Sequence, residues 1–383
     1  MLRRLGLSSY LKAPGDGRRR PQIPARALVW AQLVGWILRE CSFHAVEALV
    51  NSAAKVLGVE RRFGDDALAY FTERLDPAPT RAALIAILKR AKRNKAFDGS
   101  RFIGLALDGT GAGRCAERGC ELCHPVYNAK HLRTGYRHHL SMISVVGTGL
   151  SLPFDVEPYR PGESEYAASQ RMLRRAVEAL GSRFADYVVA DGEYATAPFL
   201  HLVGDLGLQV VARLKGNLPQ LFQAAAGRFS VLPPSGRFQV DGDHVEFWDY
   251  DDFDPWETLR WPRVRVLRYR QHKADGTVVE AYWLTDWPTK KVGALALYNM
   301  AKSRWEIENQ GFNDAKNRYG LEYLGHHHSN SLLIRWLLAL LAMVIERLYR
   351  LRYLRRGTHR PHTPIEFLRL LRLTLAVAPH DSS

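Results

Sequence analysis

The chain has 383 residues, 46% of them hydrophobic, and its 54 lysines and arginines against 39 acidic residues give a formal net charge of +15. This length and hydrophobic content predict a globular protein of two or three structural units, and the longest apolar run, residues 336–345, is too short to span a bilayer. The positive charge favours nucleic acid over an anionic membrane surface as partner, and four cysteines are no secreted disulfide framework, so we expect a cytoplasmic protein.

The sequence of residues 1–97 predicts a basic arm followed by a helical, DNA-binding region. Residues 1–25 combine Arg and Lys with Pro and Gly, and from there to about residue 95 the apolar positions repeat at helical spacing. The last of these helices ends in a basic cluster. That cluster is either a solvated helix end, favoured by the helix dipole, or a set of phosphate contacts. Its members are Lys89, Arg90, Lys92, Arg93 and Lys95.

Residues 98–216 predict the first part of a catalytic core. The order of patterns is three strands, a helix, a strand, a helix and a strand, which is typical of a mixed α/β fold. Two of the predicted strands, in LALDGT and VVADGEY, are buried runs that end in Asp-Gly.

The remaining sequence predicts three further segments. Residues 217–290 are β-rich, with a hairpin turning at Asp275-Gly276, and residues 291–353 are helical and complete the catalytic domain. Residues 354–383 form a basic tail with one short helix. The apolar helix over residues 332–350 is expected in the core. The basic residues near its end are candidates for a contact with DNA or a partner: Arg347, Arg350, Arg352, Arg355 and Arg356.

Three carboxylates are the strongest candidates for a functional site. Asp108 and Asp191 follow buried strands, and the carboxyl ends of such strands line the functional crevice of α/β folds, although Asp-Gly is also a common turn. Glu306 and Glu308 lie about 200° apart on a helix, so only one can face a shared site. Arg304 precedes Glu308 by four residues and can pair with it or clamp a phosphate; an ordinary surface ion pair is the alternative.

These motifs, taken together, resemble a known family. LDGT, VVADGEY, RLK and SRWEIEN, in this order and spacing over about residues 100–345, are similar to DDE transposases of bacterial insertion sequences, particularly the insertion sequence 4 family. The resemblance implies a ribonuclease-H-like domain, a mixed α/β sheet with a β-rich insertion before a Glu-bearing helix. Asp108 and Asp191 match the family's two Asp positions. Glu308 matches its Glu.

The match of Glu308 follows from the family signature Tyr-x2-Arg-x3-Glu-x6-Lys, in which Arg304 takes the Arg position. The Tyr position is occupied by Ala301, with Tyr298 one turn earlier. The Lys is Lys316, one residue later than in the signature. By the same resemblance, Arg213 and Lys215 are expected to contact DNA phosphates together with Arg304 and Lys316; a solvated strand face is the alternative for the first two.

The resemblance also implies the chemistry and the partners. Asp108, Asp191 and Glu308 would hold two Mg²⁺ or Mn²⁺ ions, which prefer oxygen ligands. The implied reaction is cleavage at the transposon's terminal inverted repeats and strand transfer into target DNA, by a homodimer on double-stranded DNA in the bacterial cytoplasm, at the nucleoid. The alternatives are a metal-dependent nuclease of the same fold without strand transfer, and a catalytically silent DNA-binding descendant.

Two further clusters leave their role open. Cys115, Cys120, Cys123 and His124 offer four ligands for a structural Zn²⁺, but the spacing is compressed and adjacent Cys123-His124 is awkward, so reduced thiols are favoured. The histidines of GHHHSN, residues 326–328, are a metal site or, preferentially, a polar turn or DNA-facing residues.

Overall fold

The computed structural model describes residues 5–353 and 363–377. Within the described residues, the helices before the first strand include α1 (Leu7–Lys12), α2 (Ala25–Ile37), α3 (Phe43–Leu57), α4 (Asp65–Arg74) and α5 (Pro77–Arg93). Polar side chains start two of them, because Ser42 accepts a hydrogen bond from the Ala45 amide and Asp76 accepts one from Ala78, both over 2.9 Å. The predicted N-terminal helical region is therefore present.

Ten strands form one mixed sheet. They are β1 (Gly104–Cys115), β2 (His124–Tyr127), β3 (Arg133–Val146), β4 (Leu152–Pro158), β5 (Tyr187–Ala190), β6 (Gln209–Leu214), β7 (Gly236–Val240), β8 (Asp243–Phe253), β9 (Val264–His272) and β10 (Val278–Thr285). Within the sheet, β4, β3 and β1 run antiparallel, and β5 and β6 continue parallel to β1. Helices α6 (Glu165–Leu180) and α7 (Ala197–Asp205) connect β4 to β5 and β5 to β6. Three antiparallel strands followed by two parallel ones are the ribonuclease-H-like arrangement, so the predicted fold class is confirmed.

The β-rich insertion continues this sheet instead of forming a second one. After α8 (Pro219–Val231), strands β7 to β10 pair in antiparallel fashion, and β10 pairs with β6, with Tyr282 opposite Leu214. The strand order is therefore β2-β3-β1-β5-β6-β10-β9-β8-β7, with β4 also on β3. The boundaries at residues 216 and 290 remain predictions.

The helix after the insertion carries Glu308 and changes its geometry at that point. Helix α9 (Ala294–Glu306) packs across β1, β5 and β6 and continues as a π-helical segment, Ile307–Phe312, and then as α10 (Asn313–Tyr319). A π-helical turn holds one residue more than an α-helical turn.

Helix α11 (Ser329–Tyr353) joins the two halves of the molecule. It packs on β4 and on α2, α4 and α5. Its apolar side chains from Leu332 to Ile345 are buried, except the partly buried Leu333, as expected for a core helix. Although α11 is long, none of the helices in residues 5–353 and 363–377 is apolar enough over a sufficient length to cross a membrane. Helix α12 (Pro364–Val377) is the short helix predicted near the C-terminus. Arg355 and Arg356 lie outside the described residues.

Candidate active site

Asp108 and Asp191 come from neighbouring parallel strands. The parallel pairing of β1 with β5 covers Gly104 to Ala106, so Asp108 lies just beyond it, and Asp191 directly follows the last residue of β5. The prediction that the first strand ends at Asp108 is wrong, because β1 continues to Cys115 along β3. The two carboxylates nevertheless lie at the same edge, where β5 ends.

Arg304 joins Asp108 to Glu308. Its Nη1 atom lies 3.3 Å from Asp108 Oδ2 and 2.7 Å from Glu308 Oε1. Glu306 lies elsewhere, since its Oε2 accepts a hydrogen bond from the Gly147 amide over 3.1 Å. Of the two glutamates on this helix, Glu308 is therefore the one beside Asp108.

Asp191 has its own cation. Lys215 Nζ donates to Asp191 Oδ2 over 2.8 Å. Burial alone would raise the pKa of Asp191, but the hydrogen bonds from Lys215 and from the Gly192 amide outweigh it, and the pKa lies below its ordinary value. Asp191 is thus a carboxylate at neutral pH.

Asp108 differs in its titration. Burial raises its pKa to about 7; Arg304 opposes the rise, whereas the negative charges of Glu308 and Glu165 add to it. The positive charge of Arg304 therefore does not fully offset burial and the negative charge of the carboxylates around Asp108. A cation added to the site would lower this pKa by stabilising the charged form.

Glu165, in the first turn of α6, is a fourth carboxylate that the sequence did not single out. Its Oε1 accepts a hydrogen bond from the Tyr194 hydroxyl over 2.7 Å. A Cβ atom at position 109 would lie only 1.8 Å from Glu165 Oε2, so Glu165 fits only because Gly109 follows Asp108. Burial raises the pKa of Glu165 as well. An acidic residue in a first helical turn is ordinary, which left no distinctive signal in the sequence.

The four residues predicted to contact phosphates have different surroundings. Arg304 and Lys215 contact the carboxylates directly, and Lys215 is half exposed. Arg213 lies over the Trp283 ring, 5.5 Å from its centroid, and donates to the Glu280 carbonyl over 3.4 Å. Lys316 Nζ lies 3.0 Å from Glu322. The structure thus places Arg304 and Lys215 in the carboxylate cluster and pairs Lys316 outside it.

The π-helical segment accounts for the late position of Lys316. The segment Ile307–Phe312 contains Glu308 and adds one residue to its turn, so the extra residue between Glu308 and Lys316 does not rotate Lys316 to another face. Tyr298, one turn before the signature's Tyr position, is a core residue. Its hydroxyl donates to Gln271 over 3.1 Å, and its ring packs edge-on against Tyr269.

The donor set suits a hard divalent cation. The side chains offer only carboxylate oxygens as ligands: Asp108, Asp191 and Glu308. Mg²⁺ and Mn²⁺ prefer oxygen ligands, whereas Zn²⁺ also binds nitrogen and sulfur. Within residues 5–353 and 363–377, however, their oxygens do not form a group that lies within 4.8 Å throughout. Arg304 lies between Asp108 and Glu308, Lys215 pairs with Asp191, and these two side chains supply positive charge there.

The cysteine cluster assembles with a different histidine from the one predicted. Cys120 and Cys123 face His138 Nε2, at 3.1 and 3.5 Å, whereas His124 Nε2 lies 2.8 Å from the Tyr159 carbonyl oxygen. The assignment of His124 as fourth ligand is therefore wrong. The sequence spacing could not identify His138 as a neighbour of the cysteines, because only the pairing of β3 with β1 brings it beside them.

One residue of each of the other two basic clusters has partners within the protein. His326 Nε2 lies 2.8 Å from Glu73 of α4, so this histidine is part of a polar turn against the helical region. Arg347 is buried, and it donates to the carbonyl groups of Ser151 and Gln310 and, over 2.7 Å, to Asp314. The prediction that Arg347 contacts DNA or a partner is wrong, because its side chain is buried and paired within the protein.

Comparisons with known proteins give a family match and a similar solved structure. The family described as "Transposase DDE domain" matches residues 100–345, well over half of the chain. No curated protein matches the sequence. Among solved structures, the chain is similar to the piggyBac transposase in the cryo-EM structure of its synaptic complex with hairpin DNA. The TM-score is 0.47 at 10% identity, over 91% of this chain and 71% of that chain.

Proposed function

The chain belongs to the transposase DDE domain family and is a DNA transposase, an enzyme of DNA cleavage and strand transfer; we propose that Asp108, Asp191 and Glu308 are its metal-binding carboxylates. The observation that carries this proposal is the position of Arg304, whose Nη1 atom bridges Asp108 and Glu308. Those two residues are 200 positions apart in the chain. Membership of the insertion sequence 4 family remains a prediction.

DDE transposase domains use divalent metal ions, and we propose two ions of Mg²⁺ or Mn²⁺ in this site. The oxygen-only donor set and the incompletely compensated charge at Asp108 support this choice. When bound, the ions would activate the attacking oxygen and stabilise the leaving oxygen of a phosphodiester.

Arg304 and Lys215 have two successive tasks in this proposal. Without metal, they reduce the repulsion between the carboxylates that they pair with. Once a divalent cation takes over that role, their charged ends become free to hold phosphate oxygens of DNA, Arg304 in bidentate fashion. Arg213 is then the next cation along the same edge. Lys316 would have to break its ion pair with Glu322 before it could contact a DNA phosphate.

The DNA partners are proposed to be the terminal inverted repeats and a target duplex, held by a homodimer. One site serves cleavage and joining because both are displacements at a phosphodiester. In the first step, water attacks at the end of the element. In the second, the 3′-hydroxyl that is released attacks the target.

A plasmid assay tests these assignments. Full-length protein is incubated with Mg²⁺ and a supercoiled plasmid that carries the DNA flanking both sides of the gene, and both cut ends and joined products are measured. Asp108→Asn and Asp191→Asn should abolish both products while binding to the same DNA stays within about threefold, because the basic residues are unchanged. Asp205→Asn, at an exposed helix end, is the matched control. Cleavage by Asp108→Asn at the wild-type rate would remove Asp108 from the metal site. Cut ends without joined products would instead favour the nuclease alternative.

A further inference from the structure

Three cysteines and one histidine meet beside the strand that carries Asp108. Cys115 is the last residue of β1, Cys120 and Cys123 lie in the loop to β2, and His138 lies on β3. The pairing of β1 with β3 shifts between Gly111 and Arg114, so that two residues of β1 lie opposite His138 alone. Such a bulge turns side chains away from their regular direction.

Most distances among these four side chains match a tetrahedral zinc site. Cys120 lies outside the group of ligand atoms that are all within 4.8 Å of one another, so its sulfur would have to move towards Cys115 when the metal binds. The Cys120 and Cys123 sulfurs are 3.8 Å apart, and Cys123 Sγ is 3.5 Å from His138 Nε2. Zinc bonds of about 2.3 Å to sulfur and about 2.0 Å to nitrogen place two sulfurs about 3.8 Å apart and a sulfur and a nitrogen about 3.5 Å apart. Cys120 is slightly closer to His138, at 3.1 Å. The ligand atom of Cys115 lies within 4.8 Å of those of Cys123 and His138.

We propose that Cys115, Cys120, Cys123 and His138 bind one structural Zn²⁺. Sulfur and imidazole ligands distinguish this site from the oxygen-only site at Asp108. Four protein ligands fill the tetrahedral shell and leave no position for a substrate, so the site is structural and not catalytic. The proposal is independent of the assignment of the catalytic carboxylates.

Two of the four proposed ligands lie in the protein interior. His138 is fully buried and Cys123 is 1% exposed, and His138 Nδ1 has no hydrogen-bond partner in the described part of the chain. Zinc is bound by a neutral imidazole and by deprotonated thiols, so the thiols would lose their protons to the solvent on binding.

The metal would fasten two segments that border the catalytic edge. Gly119, inside the cysteine loop, packs against His327: a Cβ atom at position 119 would lie 2.5 Å from His327 Cβ. His327 belongs to the segment between α10 and α11, downstream of Glu308. Fixing the loop on β1 and β3 would therefore also hold the segment that follows the Glu-bearing helix.

Metal analysis of the full-length protein tests the proposal. Protein purified without chelator under reducing conditions should contain about one zinc per chain by elemental analysis. After removal of the metal, titration with Co²⁺ should give the visible absorption bands of a tetrahedral thiolate complex, which Zn²⁺ then displaces. The Cys120→Ser, Cys123→Ser and His138→Asn variants should lose the zinc and melt at a lower temperature.

Two matched variants distinguish this ligand set from its alternatives. Cys41→Ser removes the one cysteine outside the cluster, and His124→Asn removes the neighbouring histidine that faces Tyr159. Both should keep zinc at the wild-type level. Equal zinc loss in His124→Asn and His138→Asn would overturn the assignment of His138. A wild-type protein with no zinc and no tetrahedral cobalt spectrum, including one that forms a Cys120–Cys123 disulfide, would overturn the site, and that result does not depend on whether a variant folds.

Discussion

Gly109 controls how many carboxylates surround the catalytic edge. It has no side chain where Glu165 approaches, and the approach is close enough that a single methyl group would occupy the position of the Glu165 carboxylate. The negative charge of Glu165 contributes to the raised pKa of Asp108. The absence of a side chain at position 109 thus allows Glu165 to add its charge to the site.

Gly109→Ala should therefore weaken metal binding with little effect on folding. The clash is with the end of a flexible side chain, so Glu165 is expected to move away and take its charge with it. We expect Mn²⁺ binding, measured by titration calorimetry, to weaken roughly tenfold, because an attractive charge has left the site. Gly99→Ala is the control, since a methyl group there meets no atom within 4 Å. Unchanged Mn²⁺ affinity in Gly109→Ala would show that Glu165 does not contribute to the site.

The raised pKa of Asp286 predicts how the stability of the fold changes with pH. Burial raises its pKa to about 6, although its Oδ1 accepts a hydrogen bond from the Val210 amide over 3.0 Å. The folded state therefore binds the proton more tightly than the unfolded state, whose carboxyl has a pKa near 3.8. The resulting stabilisation is complete below about pH 4 and is lost as the pH rises to about 6.

Asp286→Asn keeps an acceptor for the Val210 amide but cannot titrate. Relative to this variant, the wild-type protein should lose up to roughly 3 kcal/mol in the free energy of unfolding between pH 4 and pH 7. Urea unfolding at several pH values measures the difference, and the exposed Asp205→Asn should follow the wild type. A difference between wild type and Asp286→Asn that stays constant with pH would contradict the raised pKa.

At the scale of elements, the π-helical segment depends on Arg347 of α11. This guanidinium donates to the carbonyl of Gln310, inside the segment, and to Asp314 just after it, and a third contact reaches the Ser151 carbonyl. A π-helical turn is less favourable than a continuous α-helix, so it requires partners of this kind. Arg347 thus stabilises the helix that presents Glu308.

Arg347→Met should be strongly destabilising. Its removal leaves two carbonyl groups without their donor and leaves Asp314 with Arg318 as its remaining cationic partner. Losing one half of a buried pair costs about 3–5 kcal/mol. Arg350→Met, three residues later on the same helix and only half-buried, should cost less than about 1 kcal/mol. Chemical denaturation of the two variants measures both values. Similar losses for the two would contradict the role given to Arg347.

The sequence predicted most elements, and its errors have physical reasons. The order of strands and helices in the core followed from burial periodicity, and the Asp-Gly pairs identified the edge where Asp108 and Asp191 lie. The periodicity of hydrophobic residues does not show which strands pair with each other, however. Strand pairing determines three features that the sequence did not predict. Strand β1 continues along β3 to Cys115, and this same pairing brings His138 to the cysteines. The insertion joins the core sheet because β10 pairs with β6.

At the scale of the whole molecule, part of the net charge of +15 has structural partners. Arg347 is buried, and Lys92, in the basic end of α5, donates to the carbonyls of Arg183 and Phe184, each over 2.7 Å. Other basic groups, including Lys89 and Arg93, lie at a groove between α5 and the segment after α6. Charge alone therefore overstates the number of phosphate contacts.

DNA binding should nevertheless be strongly salt-dependent. If about 6–10 phosphates are neutralised, the affinity should fall by roughly 10³–10⁵ between 50 and 200 mM salt. Fluorescence anisotropy with a labelled duplex from the element's end measures it. A logarithm of affinity that does not change with the logarithm of salt concentration would place the excess charge away from the DNA.

The most direct test of the central claim compares the two neighbouring glutamates of the α9 and π-helical segments. Glu308 contacts Arg304 at the catalytic edge, whereas Glu306 is buried against Gly147. In the plasmid assay with Mg²⁺, Glu308→Gln should lose cleavage and strand transfer at least about a thousandfold, because an amide cannot replace a carboxylate ligand of the metal. Glu306→Gln should retain wild-type activity, since its amide oxygen still accepts the Gly147 hydrogen bond. An active Glu308→Gln beside an inactive, folded Glu306→Gln would contradict the assignment.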